Sequence, residues 1–385
     1  MFSQRSRCFG EENAISLKKR ALLASGRTLL DLTRSNPTET GLAPFEQLRE
    51  LLAPPETERY APDPFGIISA RLALSERWSR QGHSVAPEQI LLTASTSEAY
   101  GFLFKLFCDP GDELLVPEPS YPLFEHLARL EHAKLLPYQL LYDGAWHIDL
   151  DSLRSAITPK SRAILLVNPN NPTGSIVSQS ELVAIAEMGL PLISDEVFSG
   201  FLFGAATARF RSAITVQQQL VFALDGLSKS MGLPQCKLGF TTVGGPKQLV
   251  AEAMQRLEVI GDSYLSVGTA VQLALPELLK HEPERHQVIQ SRLEQNLACL
   301  KRVTSGSSVT TLAMDGGFSA VLRVPRTRSE SEWVLGLLEE PGVLVQPGWF
   351  YDFASEAFLV VSLLTLPHEF EQGIERLCHY VDTDR

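Results

Sequence analysis

The sequence is poor in groups that bind metals or cross-link chains. Its five cysteines, Cys8, Cys108, Cys236, Cys299 and Cys378, are scattered and odd in number. No CxxC or zinc-type spacing occurs among them, which excludes a disulfide framework and a zinc module and reads as reduced thiols in a cytoplasmic protein. Eight histidines form no HxxxH or HExxH pair, so no metal site is expected. No uninterrupted apolar run approaches the ~18 residues of a membrane span. The opening MFSQRSRCFG has no apolar core of a secretion signal, so neither export nor membrane insertion is expected. Basic residues are the minority, 34 against 45 acidic, for a net charge of −11. That balance excludes a nucleic-acid-binding face, which needs clustered Lys and Arg, and leaves solubility as the meaning of the acidity.

What is present is an ordinary globular composition at a length, 385 residues, that exceeds what one hydrophobic core usually serves. Continuous apolar runs of strand length occupy 89–93 (QILLT), 114–116, 163–167 (AILLV), 190–194 (LPLIS) and 220–224 (LVFAL). Helical spacing of Ala99, Phe102, Leu103, Leu106 and Phe107 follows the first run and stops at Asp109-Pro110-Gly111. Apolar runs alternating with helices predict an α/β protein built on a parallel sheet covered on both faces, with ligands at the carboxyl ends of the strands. The last third differs. Alternation at 318–324 and 343–346, the apolar stretch 358–364 and helical periods near 285–302 and 331–339 predict a smaller α+β layer, joined through a long helical region near 275–300.

Three motifs sit just beyond such runs: NPNNPTG at 168–174, Ser194-Asp195-Glu196, and Asp225-Gly226-Leu227-Ser228-Lys229. Asn, Asp and Lys in that order suit a pyridoxal phosphate ring. A lysine amine condenses with an aldehyde to a Schiff base and, once displaced, can move a proton. A carboxylate ending a buried run is costly unless paired, and a pyridinium N–H is a suitable partner. Asn171, pinned between prolines, can donate to the ring oxygen. Taken singly, Lys229 reads as a surface lysine, Asp195 as a helix cap and NPNNPTG as a turn; their order argues for the chemistry. Thr93-Ala94-Ser95-Thr96-Ser97-Glu98 opens a helix, where free amides and the dipole favour a phosphate, although Ser95 and Glu98 also fit a capping box. Ser228 and Lys237 can serve the same phosphate, and Tyr121 can stack on the ring.

On these motifs the chain resembles the fold-type I pyridoxal-phosphate enzymes, and within them the class I/II aminotransferases, from about Asp31 to about Leu366. The resemblance implies a three-layer, mostly parallel seven-stranded sheet at 46–280 and a smaller α+β domain from 1–45 and 281–385. It implies pyridoxal 5′-phosphate as cofactor, a small-molecule substrate and a homodimer with shared active sites. By position it makes Lys229 the Schiff-base lysine, Asp195 the partner of the ring nitrogen and Asn171 the donor to the 3′-oxygen. Tyr121 becomes the stacking aromatic, Ser95, Thr96 and Ser228 the phosphate cradle, and Tyr60 a tyrosine reaching the phosphate of the neighbouring subunit. The stretch 32–37 (LTRSNP) matches the segment lining the substrate site, which brings in Arg34 and Asn36.

Four positions depart from the family pattern. Phe198 replaces a tyrosine, Lys237 an arginine and Gly226 a serine. Val360 stands where the family carries an arginine for the substrate α-carboxylate, and no Lys or Arg occurs at 329–375. Two substrate readings follow: another cation, with Arg34 the candidate, takes over, or the recognised group is not a free carboxylate. An elimination or decarboxylation enzyme on the same cofactor is the alternative to an aminotransferase. A non-catalytic sensor module is a third, less favoured because no DNA-binding segment precedes the fold.

Overall fold

A computed structural model describes residues 2–7, 13–42 and 45–383; Cys8 lies outside them. The large sheet has eight strands: β1 (Ile90–Thr93), β2 (Glu113–Glu118), β3 (Lys134–Tyr142), β4 (Trp146–Ile148), β5 (Ser161–Val167), β6 (Leu192–Asp195), β7 (Val221–Gly226) and β8 (Gly239–Gly244). Their order is β1-β8-β7-β6-β5-β2-β3-β4, with β7, β6, β5, β2 and β3 mutually parallel and β8 antiparallel to both neighbours. The eighth strand is β4, an antiparallel edge that pairs with β3. The Asp143-Gly144 turn, with Gly144 at φ 113°, closes that hairpin. The resemblance implied seven strands; this short edge strand, Trp146–Ile148, is the addition.

Adjacent residues of one strand enter different layers. Leu114, Leu165, Ile193 and Phe222 pack with helices α2 (Thr96–Phe107) and α4 (Lys247–Asp262). Leu115, Ile164, Leu192 and Val221 pack against α3 (Gln179–Ala186) on the other face. This double burial is what the continuous apolar runs require, each such side chain contributing about 1.5–3 kcal/mol. Helix α1 (Ile68–Arg80) covers the β1–β8 end, where Leu74 and Trp78 meet Ile90 and Phe240.

The C-terminal layer is a four-stranded antiparallel sheet, β9 (Thr310–Thr311), β10 (Ser319–Arg323), β11 (Gln346–Pro347) and β12 (Phe358–Ser362), in the order β9-β10-β12-β11. Ala320, Leu322, Leu359 and Val361 face α5 (Glu282–Thr304), α6 (Glu330–Glu339) and α7 (Pro367–Thr383). The opposite face, carrying Ser319 and Ser362, turns toward the large sheet's carboxyl edge. The helical region expected near 275–300 is two helices, Thr269–Leu278 and α5. Among the described residues no helix is long and apolar enough to cross a membrane.

Candidate active site

One cavity of about 410 Å³ lies between the carboxyl edge of the large sheet and the inner face of the small one. Lys229, Asp195, Asn171, Tyr121 and Thr96 all line it. Parallel strands deliver them: β5 runs into the Asn168–Gly174 loop, β6 ends at Asp195, and β7 passes through Gly226 into the single helical turn Leu227–Ser230.

The Lys229 amine lies 5.6 Å from the ring centroids of both Phe198 and Phe318. Burial between these rings pushes its pKa below the usual lysine range, and the charge of Asp195 opposes that shift only in part. Asp195 moves the other way. Burial lifts its carboxyl to about 6, against hydrogen bonds from the Val197 amide and the Tyr100 hydroxyl. Tyr100 donates to Asp195 Oδ2 at 3.1 Å, and Val197 N–H to Oδ1 at 3.2 Å. The carboxylate is thus half-satisfied, desolvated and short of a counter-charge. A ring N–H⁺ meets that need, so the donor set fits a pyridoxal ring. Asn171 Oδ1 accepts from Ser319 Oγ at 3.4 Å, leaving its amide N–H groups for another partner.

The start of α2 borders the same cavity through Thr96 and Ser97. Ser95 caps the helix, its Oγ accepting the Glu98 amide at 3.2 Å. Glu98 returns its carboxylate not to Ser95 but to the Ala94 amide at 2.7 Å, one residue earlier than the expected capping box. The Thr96 and Ser97 amides, in the first turn, have no intrahelical acceptor. Strand β8 presses close to them: a Cβ on Gly239 would stand 3.0 Å from Ser95 C and 3.1 Å from Thr96 N. Gly226, in turn, has Gly239 Cα and Leu238 O at 2.9 Å from where its Cβ would be, which leaves no room for the serine common in the family. Ser228 is half-buried in the helical turn Leu227–Ser230 that follows Gly226. Lys237 is exposed, held at φ 48° two residues before Gly239.

Other expected residues lie off the cavity wall. Arg34 turns to Glu369, Nη1 to Oε2 at 3.4 Å, while its neighbours Thr33 and Ser35 face the cavity. Asn36 spends its side chain on Thr38, accepting from its amide at 3.1 Å and its hydroxyl at 2.9 Å. Tyr60 projects from the surface, 79% exposed. Conversely, Tyr100, Gln346, Phe350 and Tyr351 line the cavity and were not anticipated. Tyr100 was within reach of sequence reasoning: it stands four residues after Thr96, on the same helix face. The others come from the small sheet's strand Gln346–Pro347 and the helical turn Gly348–Tyr351 after it, whose orientation no local pattern encodes.

A lysine and a buried carboxylate facing one cavity, at the carboxyl edge of a three-layer α/β sheet, define a pyridoxal-phosphate enzyme of fold type I. The chain belongs to the class I and II aminotransferase family, which it matches over residues 27–377. It is 29% identical to the glutamate-pyruvate aminotransferase AlaA of Escherichia coli strain K12, over 71% of this chain and 68% of that one. It is 27% identical to the aspartate/prephenate aminotransferase of Thermus thermophilus, over 94% of each. Alanine aminotransferase from Pyrococcus furiosus superposes with a TM-score of 0.90 at 26% identity, covering 99% of both chains. The protein is therefore a pyridoxal 5′-phosphate-dependent aminotransferase acting on small molecules. Nothing in the site or among these relatives favours the elimination, decarboxylation or sensor alternatives.

Proposed function

We propose that amino-group transfer takes place in this cavity with Lys229 as the catalytic residue. The observation that carries the reading is that Lys229, Asp195 and Asn171, distant in sequence, border one cavity. When bound, pyridoxal phosphate supplies an aldehyde for the donor amine and a ring that accepts the electron pair left when the donor's α-proton departs. Desolvation keeps more of the Lys229 amine as free base, the form that can bond to an aldehyde carbon and later carry a proton to or from the donor carbon. Asp195 would hold the ring nitrogen protonated, and the Tyr100 and Val197 hydrogen bonds fix the carboxylate's orientation. Asn171 would donate to the 3′-oxygen, and Tyr121, nearly half of whose surface is open, would cover the ring face. Ser95, Thr96 and Ser228 would receive the phosphate, with Lys237 adding charge from the turn before Gly239.

The part at 46–280 carries the cofactor, and 1–45 with 281–385 forms the smaller domain, a division supported by the hydrophobic cluster that gathers Leu29, Leu32, the small sheet and its helices, although Phe198 and Phe201 of the large part join it. Two copies form a homodimer in which Tyr60 serves the phosphate of the other copy. Its 79% exposure on an isolated chain, beside exposed Tyr264 and Leu265, supports this. Free thiols at Cys108, Cys236, Cys299 and Cys378 support a reducing, cytoplasmic setting.

Purified protein loaded with cofactor is expected to show a visible absorbance band that an amino donor bleaches. Lys229→Ala should lose the band and at least about 100-fold in turnover, with its fold intact by circular dichroism. A colourless protein that takes up no added cofactor would overturn the reading.

A further inference from the structure

Opposite Lys229, the cavity wall is built by the small sheet, and that wall carries no positive charge. Residues 360 and 362 of β12 point to the same face. Ser362 reaches the cavity, and Val360, 1% exposed, lies two residues deeper. Val360 pairs with Val321 on one side and Gln346 on the other. It packs into a closed apolar cluster with Leu312, Val321 and Tyr351, backed by Tyr142, Trp146 and Phe353.

The nearby cations are committed elsewhere. Among the described residues lining the cavity, Lys229 alone is basic. Arg34 faces Glu369. Arg292 donates to the backbone carbonyls of Thr40 at 2.8 Å and Leu364 at 3.1 Å. Arg323 is exposed at the far end of β10, about 13 Å along the strand from Ser319. The wall offers neutral hydrogen-bonding groups instead. Ser319 and Ser362 present hydroxyls, and Gln346 accepts the Tyr351 hydroxyl on Oε1, which leaves its Nε2–H groups to donate. Around them stand the rings of Phe124, Phe198, Phe318 and Phe350.

We propose that this cavity selects an amino donor with no carboxylate beside its amine: a primary amine whose neighbouring group is a neutral hydroxyl or amide, carried on an apolar, aromatic body. The inference rests on the proposed role of this cavity in amino transfer. A carboxylate placed against this wall leaves water, meets no cation on it and lies in the same small space as the Asp195 carboxylate, so its desolvation is poorly compensated there. A hydroxyl or amide needs only the hydrogen bonds that Gln346 and the two serines supply. In the reaction the donor carbon is oxidised by two electrons from amine to carbonyl. Water supplies the oxygen, the nitrogen passes to the aldehyde carrier, which is reduced to an amine, and a second carbonyl compound then removes it.

The test compares donors that differ only beside the amine: phenylalanine, phenylalaninol and phenylalaninamide. Each is mixed with the cofactor-loaded enzyme while the visible band is followed. The alcohol and the amide are expected to bleach it with kcat/KM at least about tenfold above the amino acid. Calorimetry on the same holoenzyme gives a readout independent of turnover: 3-phenylpropionamide should bind at least about tenfold more tightly than 3-phenylpropionate. Gln346→Arg, which adds a cation on the wall, should reverse that order. Equal or better reaction and binding of the carboxylates by the wild type overturns the proposal, as does failure of all these compounds to bind, and neither outcome depends on the variant folding. A holoenzyme with a Lys229-dependent band that prefers phenylalanine refutes this inference alone. Absence of the band refutes the reading beneath it.

Discussion

Replacing Asp195 by Asn should make the cofactor-free protein more stable at neutral pH, although it cripples the loaded enzyme. A carboxyl whose native pKa lies above its unfolded value holds its proton more tightly when folded. The native state is therefore favoured at low pH and loses that advantage as pH rises between the two values. For Asp195 these are the ordinary 3.8 and about 6. Each tenfold change in proton affinity is worth about 1.4 kcal/mol, so above pH 6 the ionised carboxylate costs the empty native protein about 3 kcal/mol. Asparagine is close in shape, keeps an oxygen for the Val197 amide and carries no charge to desolvate. The assay is urea unfolding of cofactor-free wild type and Asp195→Asn from pH 4 to pH 8. The stability difference should be near zero at pH 4 and grow in the variant's favour through pH 6, then level off. Glu196, which burial lifts to about 7, adds a slope common to both proteins that cancels in the difference. With cofactor present the order should invert, because the ring cation no longer has its partner. A variant with no pH-dependent gain in the cofactor-free state refutes the claim that this carboxylate is held desolvated and under-paired.

Other measurements probe the supports of the site. Arg77 bridges Asp225 and Glu282, both at 2.9 Å and largely buried; Arg77→Ala strands two carboxylates and should cost about 3–5 kcal/mol in urea unfolding, and a loss below about 1 kcal/mol refutes the bridge as a structural tie. Gly239→Ala pushes a methyl to 3.0 Å from Ser95 C and should weaken cofactor binding by about tenfold or more in an absorbance titration. Gly268→Ala, with nothing within 4 Å, is the control. Sedimentation should find two chains, and Tyr60→Ala should leave the dimer intact while raising the cofactor Kd several-fold, about 1 kcal/mol for one lost hydrogen bond; an unchanged Kd removes Tyr60 from the phosphate site.

The parts of this protein legible in its sequence are those where a local pattern carries the physics. Strands β5, β6 and β7 are buried on both faces, so they read as continuous apolar runs, and the Asn171, Asp195 and Lys229 motifs follow them directly. Strand β8 did not read as a strand. Its sequence, Gly239-Phe-Thr-Thr-Val-Gly244, has glycine at both ends and two threonines, Thr241 and Thr242, buried only because β1 and β7 flank it. Strand β3 carries Pro137, which local rules place at an edge or outside a strand. The substrate wall was the least legible part. That Thr33 and Ser35 face the cavity while Arg34 turns to Glu369 depends on where α7 lies, more than 300 residues on.

The Asp195 experiment and the donor comparison constrain one another, because both measure how poorly this cavity solvates negative charge. If the interior holds the Asp195 carboxyl near 6, a second carboxylate entering beside it meets the same desolvation plus the repulsion of the first once that is ionised. A ring cation held by Asp195 would relieve that carboxylate, and its charge would then be already matched. An enzyme that showed the full pH-dependent gain in Asp195→Asn and still preferred phenylalanine over phenylalaninol would need a cation that these residues do not supply. If the second copy of a homodimer brought it, the preference for the carboxylate would fall on dilution below the dimer's dissociation constant. If the preference survived dilution to monomers, the conclusion would be that the wall opposite Lys229 is wetter than its packing implies, and Val360 would lose its significance.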